Sequence, residues 1–370
     1  MASEWPLTKV GDLATSVSET HRFGKDKLVF LNTSDVLWGE FLHHSYTSPR
    51  DWPGQAKKSI RKDDILFSEI RPANGRWAYV DVEADDYVVS TKLMVIRARP
   101  DRVLPRFLYY FLTSSETTSW LQHLAESRSG TFPQITFDQI AELELAVPPV
   151  TVQEAIARFL DSIDEKRKLN RRMNSTLASI AQALFNHLFP YSTDDDLPDG
   201  WRIGRLDELL VLQRGFDLPS SERSVGPYPV LAASGPSGTH ARFMVHGPGV
   251  TTGRSGVLGK VYFVHEDFWP LNTSLWIREF RHATPSYAFY VLRSLDFELF
   301  NAGSAVPTLN RNHVHNLPVV IPPTKTVQEF DRAVMPLLSR QKTNQEEIQT
   351  LAALRNTLLP KLLSGEVRVN

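Results

Sequence analysis

The residues of this 370-residue chain best placed to do chemistry are cations in glycine-containing turns. Residues 50–76 hold seven Lys/Arg against four Asp/Glu, and Arg71-Pro-Ala-Asn74-Gly75-Arg76 runs into the strand-like Trp77-Ala-Tyr-Val. A second stretch, Arg254-Ser-Gly-Val-Leu-Gly259-Lys260, runs into Val261-Tyr-Phe-Val264. Both predict a turn followed by a strand, with cations presented at the turn. Glycine permits positive φ and close backbone approach. Arg and Asn are the side chains that pair bidentately with guanine and adenine edges in a major groove. The candidate binding residues are therefore Arg50, Lys57, Lys58, Arg61, Arg71, Asn74, Arg76 and Lys92 in the first half. In the second half they are Arg214, Arg242, Arg254, Lys260, Asn272, Asn310 and Arg311. A solvated surface turn has the same composition, so the paired occurrence supports the two segments rather than each residue.

Other constellations fail on spacing or residue type. Gly253 to Val261 is one residue too long for a phosphate loop, and Val261 replaces the Mg²⁺-binding hydroxyl. The dinucleotide spacing is absent there. Pro148-Pro149 and Pro322-Pro323 lack the flanking Asp/Asn and aromatic of an amino-methyltransferase motif. His313-x-His315 would place two imidazoles on one strand face, but the matching residues earlier in the chain are Gln139 and Ala141, so ordinary polar strand positions are expected. His265-Glu-Asp lacks the second histidine of a zincin, and Asp64 with Glu69 makes no convincing nuclease set. There is no cysteine, which excludes disulfides and thiolate chemistry. No catalytic residue and no metal ligand is expected.

The elements that must position these turns are duplicated. Trp5-Pro-Leu-Thr-Lys-Val-Gly-Asp-Leu13 matches Trp201-Arg-Ile-Gly-Arg-Leu-Asp-Glu-Leu209, and Pro105 to Ser114 matches Pro285 to Ser294. Gly130-Thr-Phe-Pro133-Gln-Ile135 matches Gly303 to Leu309, and each copy ends in a double proline followed by Thr-Val-Gln-Glu. The separation between matching blocks falls from 196 residues to 174, so the first copy is longer by 22. Four blocks in one order, with different contents between them, suit two modules doing one job on two targets. The aromatic runs 105–112 and 285–292 have helical spacing and are expected to be core.

A helix should follow each double proline, with Thr151-x-x-Glu154 and Thr326-x-x-Glu329 as capping boxes. Apolar residues then recur every three or four positions, through Leu160, Leu169, Ile180 and Leu188 in one copy and Phe330, Val334, Leu351 and Leu362 in the other. Both stripes break at the same place, Lys166-Arg167-Lys168 and Gln341-Lys342-Thr343, where polar residues could fix register. Such stripes should pack on one another as an antiparallel coiled coil. Pro336 and Pro360 should each kink or end the second helix. Lys166 to Lys168 with Arg171-Arg172 reads as a solvated face rather than a phosphate contact.

The linkers between units are also alike, 13 residues from Leu188 to Trp201 and 12 from Leu363 round through the termini to Trp5. The chain thus reads as a two-unit cycle opened at one linker, with termini near each other and an approximate two-fold axis. The expected fold is α+β. Residues 1–150 and 201–323 form two strand-rich mixed domains. Residues 151–190 and 324–364 form the long helices, with a linker at 191–200 and a tail at 365–370.

Hydrophobic residues make up 42% and charged residues 22%, ordinary globular usage that rules out a disordered or collagen-like chain. The net charge is −1, so any nucleic-acid binding must rest on a local basic surface. No apolar run reaches the length of a membrane span. The start, Met-Ala-Ser-Glu-Trp-Pro-Leu, lacks the features of a secretory signal, and cytoplasmic residence is expected.

Two variable units, each closed by a double proline and a long helix in a circular arrangement, resemble the specificity subunit of a Type I restriction-modification system. Lys361-Leu-Leu-Ser-Gly-Glu-Val-Arg-Val369 and the phrase Gly303 to Asn310 are similar to that family as well. The resemblance implies two target-recognition domains, each reading one half of an asymmetric, bipartite site in double-stranded DNA, with the helices as spacer. It implies a non-catalytic subunit that binds two adenine-N6 methyltransferase subunits and assembles with restriction subunits. S-adenosylmethionine, ATP and Mg²⁺ would be held by those partners, and no cofactor by this chain. A coiled-coil scaffold for proteins alone, a DNA-reading subunit of a related defence system, and an unrecognised enzyme with duplicated domains are the competing readings. The last would need an acid/base or metal set repeated in both units, and the sequence has none.

Overall fold

The computed structural model describes residues 5–128, 133–297 and 308–369. The blocks Gly130–Phe132 and Gly303–Pro307 lie outside them. The chain forms two compact units: residues Met1–Leu169 with Glu347–Asn370, and residues Asn170–Glu346. The division runs through both long helices rather than at their starts.

In unit 1, strand Leu7–Lys9 pairs antiparallel with Glu144–Ala146. A four-stranded antiparallel sheet has the order Ala14–Val17, Leu93–Ala98, Ile65–Ser68, Trp77–Tyr79. Successive residues of a strand face opposite ways, and the two central strands use both faces. Ile65, Phe67, Met94 and Ile96 join the core around helix Pro105–Leu112, where Phe107, Leu108 and Tyr110 are buried. Leu66, Leu93 and Val95 join a second core with Val29, Leu31 and Val89. That core belongs to a sheet ordered Tyr46–Thr47, Leu28–Leu31, Tyr87–Ser90, Ala56–Ser59, whose central pair is parallel.

Unit 2 repeats the plan. Arg202–Arg205 pairs with Pro318–Ile321. The four-stranded sheet runs Leu210–Arg214, Ser274–Phe280, Gly249–Gly253, Val261–Val264. A three-stranded sheet follows the order Gly235–His240, Tyr228–Ala232, Trp269–Pro270, again with a parallel pair. Strand Ala56–Ser59 of unit 1 has no counterpart among the strands of this sheet, and it falls within the extra length of the first copy.

The long helices span Val150–Leu188 and Thr324–Leu363. They start directly after the prolines. The Pro149 carbonyl accepts from the Val152 and Gln153 amides at 2.9 and 3.1 Å, and Pro323 from Thr326 and Val327 at 3.0 and 3.3 Å. Thr151 and Thr326 are thus inside the helices, and the expected capping boxes are not the starts. Proline's fixed φ already suits a helix entry. Neither Pro336 nor Pro360 ends the second helix. Val334 and Leu338 are buried around the first, Leu359 and Leu362 around the second, and this packing offsets the backbone bond each proline removes.

Within unit 1, Ile156 and Leu160 share a core with Leu359 and Leu362, and Asp164 meets Arg355 at 3.4 Å. Lys166 reaches Glu347, also at 3.4 Å. Within unit 2, Ala181 and Phe185 pack with Phe330 and Val334. The numbering rises along one helix as it falls along the other, so the paired halves are antiparallel in each unit. Just past the polar breaks lie the buried residues Asn170 and Asn344. The Asn174 amide donates to the Gln341 carbonyl at 3.2 Å, and the Gln341 amide returns a bond to the Asn174 carbonyl at 3.0 Å. Leu169 and Ile180, counted in the stripe, are 52% and 44% exposed. Trp5 packs with Val367 and Val369 and lies against Gly365, so the described ends of the chain meet in unit 1. Trp201, its repeat counterpart, stacks edge-on against Phe189 and Tyr191 in unit 2.

Candidate nucleic-acid interface

Both basic stretches are hairpin turns hung from equivalent strands. In unit 1 the turn joins Ile65–Ser68 to Trp77–Tyr79, and in unit 2 it joins Gly249–Gly253 to Val261–Val264. Backbone bonds fix their correspondence. The Glu69 carbonyl accepts from Ile135 at 2.9 Å and the Arg254 carbonyl from Leu309 at 2.8 Å. The Glu69 amide donates to Lys92, the Arg254 amide to Thr273. Glu69, not Arg71, is therefore the counterpart of Arg254. The first turn, 69–76, is one residue longer than the second, 254–260.

The candidates divide by where their side chains go. Lys58 turns inward and donates to the carbonyls of Thr91 and Leu93 at 3.0 and 2.9 Å, and burial pushes its pKa down. Arg76 donates to the carbonyls of Ser34 and Val36 at 2.8 and 3.3 Å, tying the turn to the loop beside it. Arg254 donates to the Asn272 carbonyl at 2.8 Å. Burial lowers its pKa first, the nearby Arg214 charge adds to this, and Asp217 opposes it. Arg61 pairs with Glu19 at 2.9 Å, Lys92 with Glu69 at 3.5 Å and Arg214 with Asp217 at 3.8 Å. Asn272 donates to Asp217. Asn310 caps the helix Arg311–His315 by accepting from the Asn312 amide.

Arg50, Lys57, Arg71, Asn74, Arg242, Lys260 and Arg311 are exposed. Two groups result. Arg71 and Asn74 share the unit 1 turn, and Arg71 has φ +45°. Arg214, Arg254 and Asn272 gather around Asp217 at the end of the unit 2 sheet. Arg50, Lys57 and Lys58 stand instead on the second sheet of unit 1 or its flank.

Sequence reading missed the carboxylates that hold these cations, Glu19, Glu69 and Asp217. The three-residue spacing of Arg214 and Asp217 was the available signal. It also missed Trp38, an exposed indole lying on the unit 1 turn. His313 and His315 lie on a short helix, not the strand expected, because Asn310 starts a helical turn there. The His315 Nε2 accepts from the Leu212 amide at 2.8 Å, and burial lowers its pKa. Among the described residues no group of three or more His, Asp or Glu could hold a metal ion. No helix among them is long and apolar enough to cross a membrane.

Residues 3–178 match the family described as Type I restriction modification DNA specificity domain. The Type I restriction enzyme HindI specificity subunit of Haemophilus influenzae is 48% identical over 188 residues, covering 50% of this chain and 41% of that protein. The chain thus spans less than half the length of that relative. The MjaIX specificity subunit of Methanocaldococcus jannaschii is 26% identical, covering 99% of this chain and 94% of its own. The solved Type-I restriction-modification system S subunit from M. genitalium shares the fold, with a TM-score of 0.65 at 16% identity over 98% of this chain and 96% of that one. Over its first 178 residues the chain is thus similar to the DNA specificity domain of Type I restriction-modification systems.

Proposed function

We propose that this chain is the DNA-reading subunit of a Type I restriction-modification complex. Unit 1 and unit 2 each read one half of an asymmetric, bipartite site in double-stranded DNA. The observation that carries this reading is the repeated hairpin. The same strands, in the same sheet order, carry a basic turn in both units, and the side chains on the two turns differ. A shared frame with divergent contents suits two readers of unlike sequences. The chain itself performs no catalysis. It recruits two adenine-N6 methyltransferase subunits and the restriction subunits, which bind S-adenosylmethionine, ATP and Mg²⁺. The long helices, as an antiparallel coiled coil, set the gap between the half-sites and give the molecule its approximate two-fold axis.

Co-expression with the methyltransferase and mapping of modified adenines tests this directly. The mapped site should be bipartite, and no sequence-specific methylation would overturn the reading. The spacer role has its own test. Seven residues are about two helical turns and add about 10.5 Å, or about three base pairs of DNA. Inserted in both helices, near Arg171 and near Glu346, they should leave the half-sites unchanged and lengthen the gap by up to about three base pairs. An active insertion variant with the original gap shows that the helices are not the ruler.

A further inference from the structure

We infer that Trp38 is a specificity-determining residue of unit 1 that reads the 5-methyl group of a thymine beside Arg71 and Asn74. This rests on the DNA-reading function proposed above and adds a contact to it.

Trp38 is 55% exposed, yet its backbone is held at φ +48°, a conformation bulky L-residues avoid. Burial of the ring does not compensate that strain, and strain of this kind concentrates at functional positions. The clamp is specific. The Trp38 amide donates to the Gly75 carbonyl at 2.7 Å, and the Gly39 amide to Trp77 at 2.9 Å. The indole lies so close over Gly75 that a Cβ there would stand 2.6 Å from it. Trp77 meets the ring edge-on at 5.0 Å and is itself stacked on Phe67 at 5.6 Å. The turn beneath is pinned too, by Arg71 to the Pro133 carbonyl and by the Ala73 amide to Gln122, each at 3.1 Å.

The result is a rigid apolar surface immediately beside two exposed hydrogen-bonding side chains. Base edges in a major groove present donors and acceptors, and one apolar group, the thymine methyl. A fixed indole beside Arg71 and Asn74 therefore matches thymine. In unit 2 the loop after Tyr228–Ala232 meets the hairpin through Tyr262, whose ring lies on Gly235 with its hydroxyl donating to the Ser234 carbonyl at 2.6 Å, so that ring ends in a tied polar group. The methyl reading thus belongs to the unit 1 half-site.

The test uses the assembled methyltransferase and duplexes carrying its mapped site, with each thymine of the unit 1 half-site replaced in turn by deoxyuridine. Wild type should methylate one of these duplexes about fourfold more slowly, the value of one buried methyl. W38A should treat that duplex and its thymine parent alike, and W38F, with a smaller ring, should retain part of the difference. W38F also keeps the test decisive if W38A fails to fold. A half-site without thymine, a wild type indifferent to every exchange, or a variant that keeps the full wild-type response overturns the inference. These outcomes leave sequence-specific methylation intact, whereas its complete absence in wild type overturns the DNA-reading function itself.

Discussion

Ser68 and Gly253 end equivalent strands, and the two hairpins diverge from that point. In unit 1 the serine hydroxyl folds back on its own turn, accepting from the Ile70 amide at 3.1 Å and donating to its carbonyl at 3.2 Å. In unit 2 a Cβ at Gly253 would stand 1.7 Å from the Val257 carbonyl oxygen. The shorter turn closes directly over the strand end, so it requires glycine, while the longer one clears a side chain. At the next position the charge reverses: Glu69 holds Lys92, whereas Arg254 docks on Asn272. Equivalent scaffolds thus present an open turn with free Arg71 and Asn74 on one side, and a tied cluster around Asp217 on the other. The lesson is that sheet order is retained while turn length decides which residue types the strand end and turn accept.

The same contrast runs through the helices behind the sheets, where the largest effect is expected. Arg106 donates to Asp161 at 2.5 Å and lies 4.3 Å over the Tyr79 ring. The Tyr110 hydroxyl donates to the same carboxylate at 2.6 Å. In unit 2 the counterpart of Arg106 is Ser286, which donates to Asp331 at 2.5 Å. Asp161→Ala should strand a half-buried guanidinium and a phenol, at about 2–3 kcal/mol. Ser286→Ala should cost about 1 kcal/mol. Hydrogen exchange resolved by unit would measure both, and equal losses would show that the two docking modes are energetically alike.

Next in size is an exchange at the strand ends. Gly253→Ser should overpack the unit 2 turn by about 1–3 kcal/mol and weaken reading of that half-site alone. Ser68→Gly should cost less than about 1 kcal/mol, since only a local bond and backbone entropy are lost. Methylation of duplexes altered in one half-site separates the two. A Gly253→Ser complex that reads both halves normally would mean the turn is not held as tightly as its geometry requires.

The smallest effect depends on pH. Burial holds the His315 imidazole below the usual histidine range, and its neutral form accepts the Leu212 amide. A depressed folded pKa gives stability that is complete above the unfolded value, about 6.5, and drains away as pH falls through the folded one. The repeat position in unit 1 is Ala141. Unit 2 should therefore lose exchange protection faster than unit 1 between pH 7 and 5.5, and His315→Gln should remove the difference. Parallel losses in both units would count against a role for this bond.

Much of this frame was legible because it is periodic or duplicated. The two long helices, the turn-then-strand order at Trp77 and Val261, and the buried aromatic helices all follow from spacing. What spacing could not convey is which cations turn inward. Lys58, Arg76 and Arg254 find carbonyls 18 to 42 residues away, contacts that exist only once the sheets assemble. Pro336 and Pro360 read as breaks because local propensity carries no record of the tertiary packing that flanks them.

Asn170 and Asn344 stand 21 residues behind Pro149 and Pro323, and both are wholly buried. They lie close to where each long helix passes from one unit to the other. Crossovers between two related chains at these asparagines, each within the same helix, would leave the helical register intact. Unit 2, the continuous stretch between these points, can therefore be inherited as a cassette. Two ancestral chains with different readers could yield four pairings without a new fold having to arise, and lineages could change the sequence they recognise by recombination rather than by accumulating point substitutions.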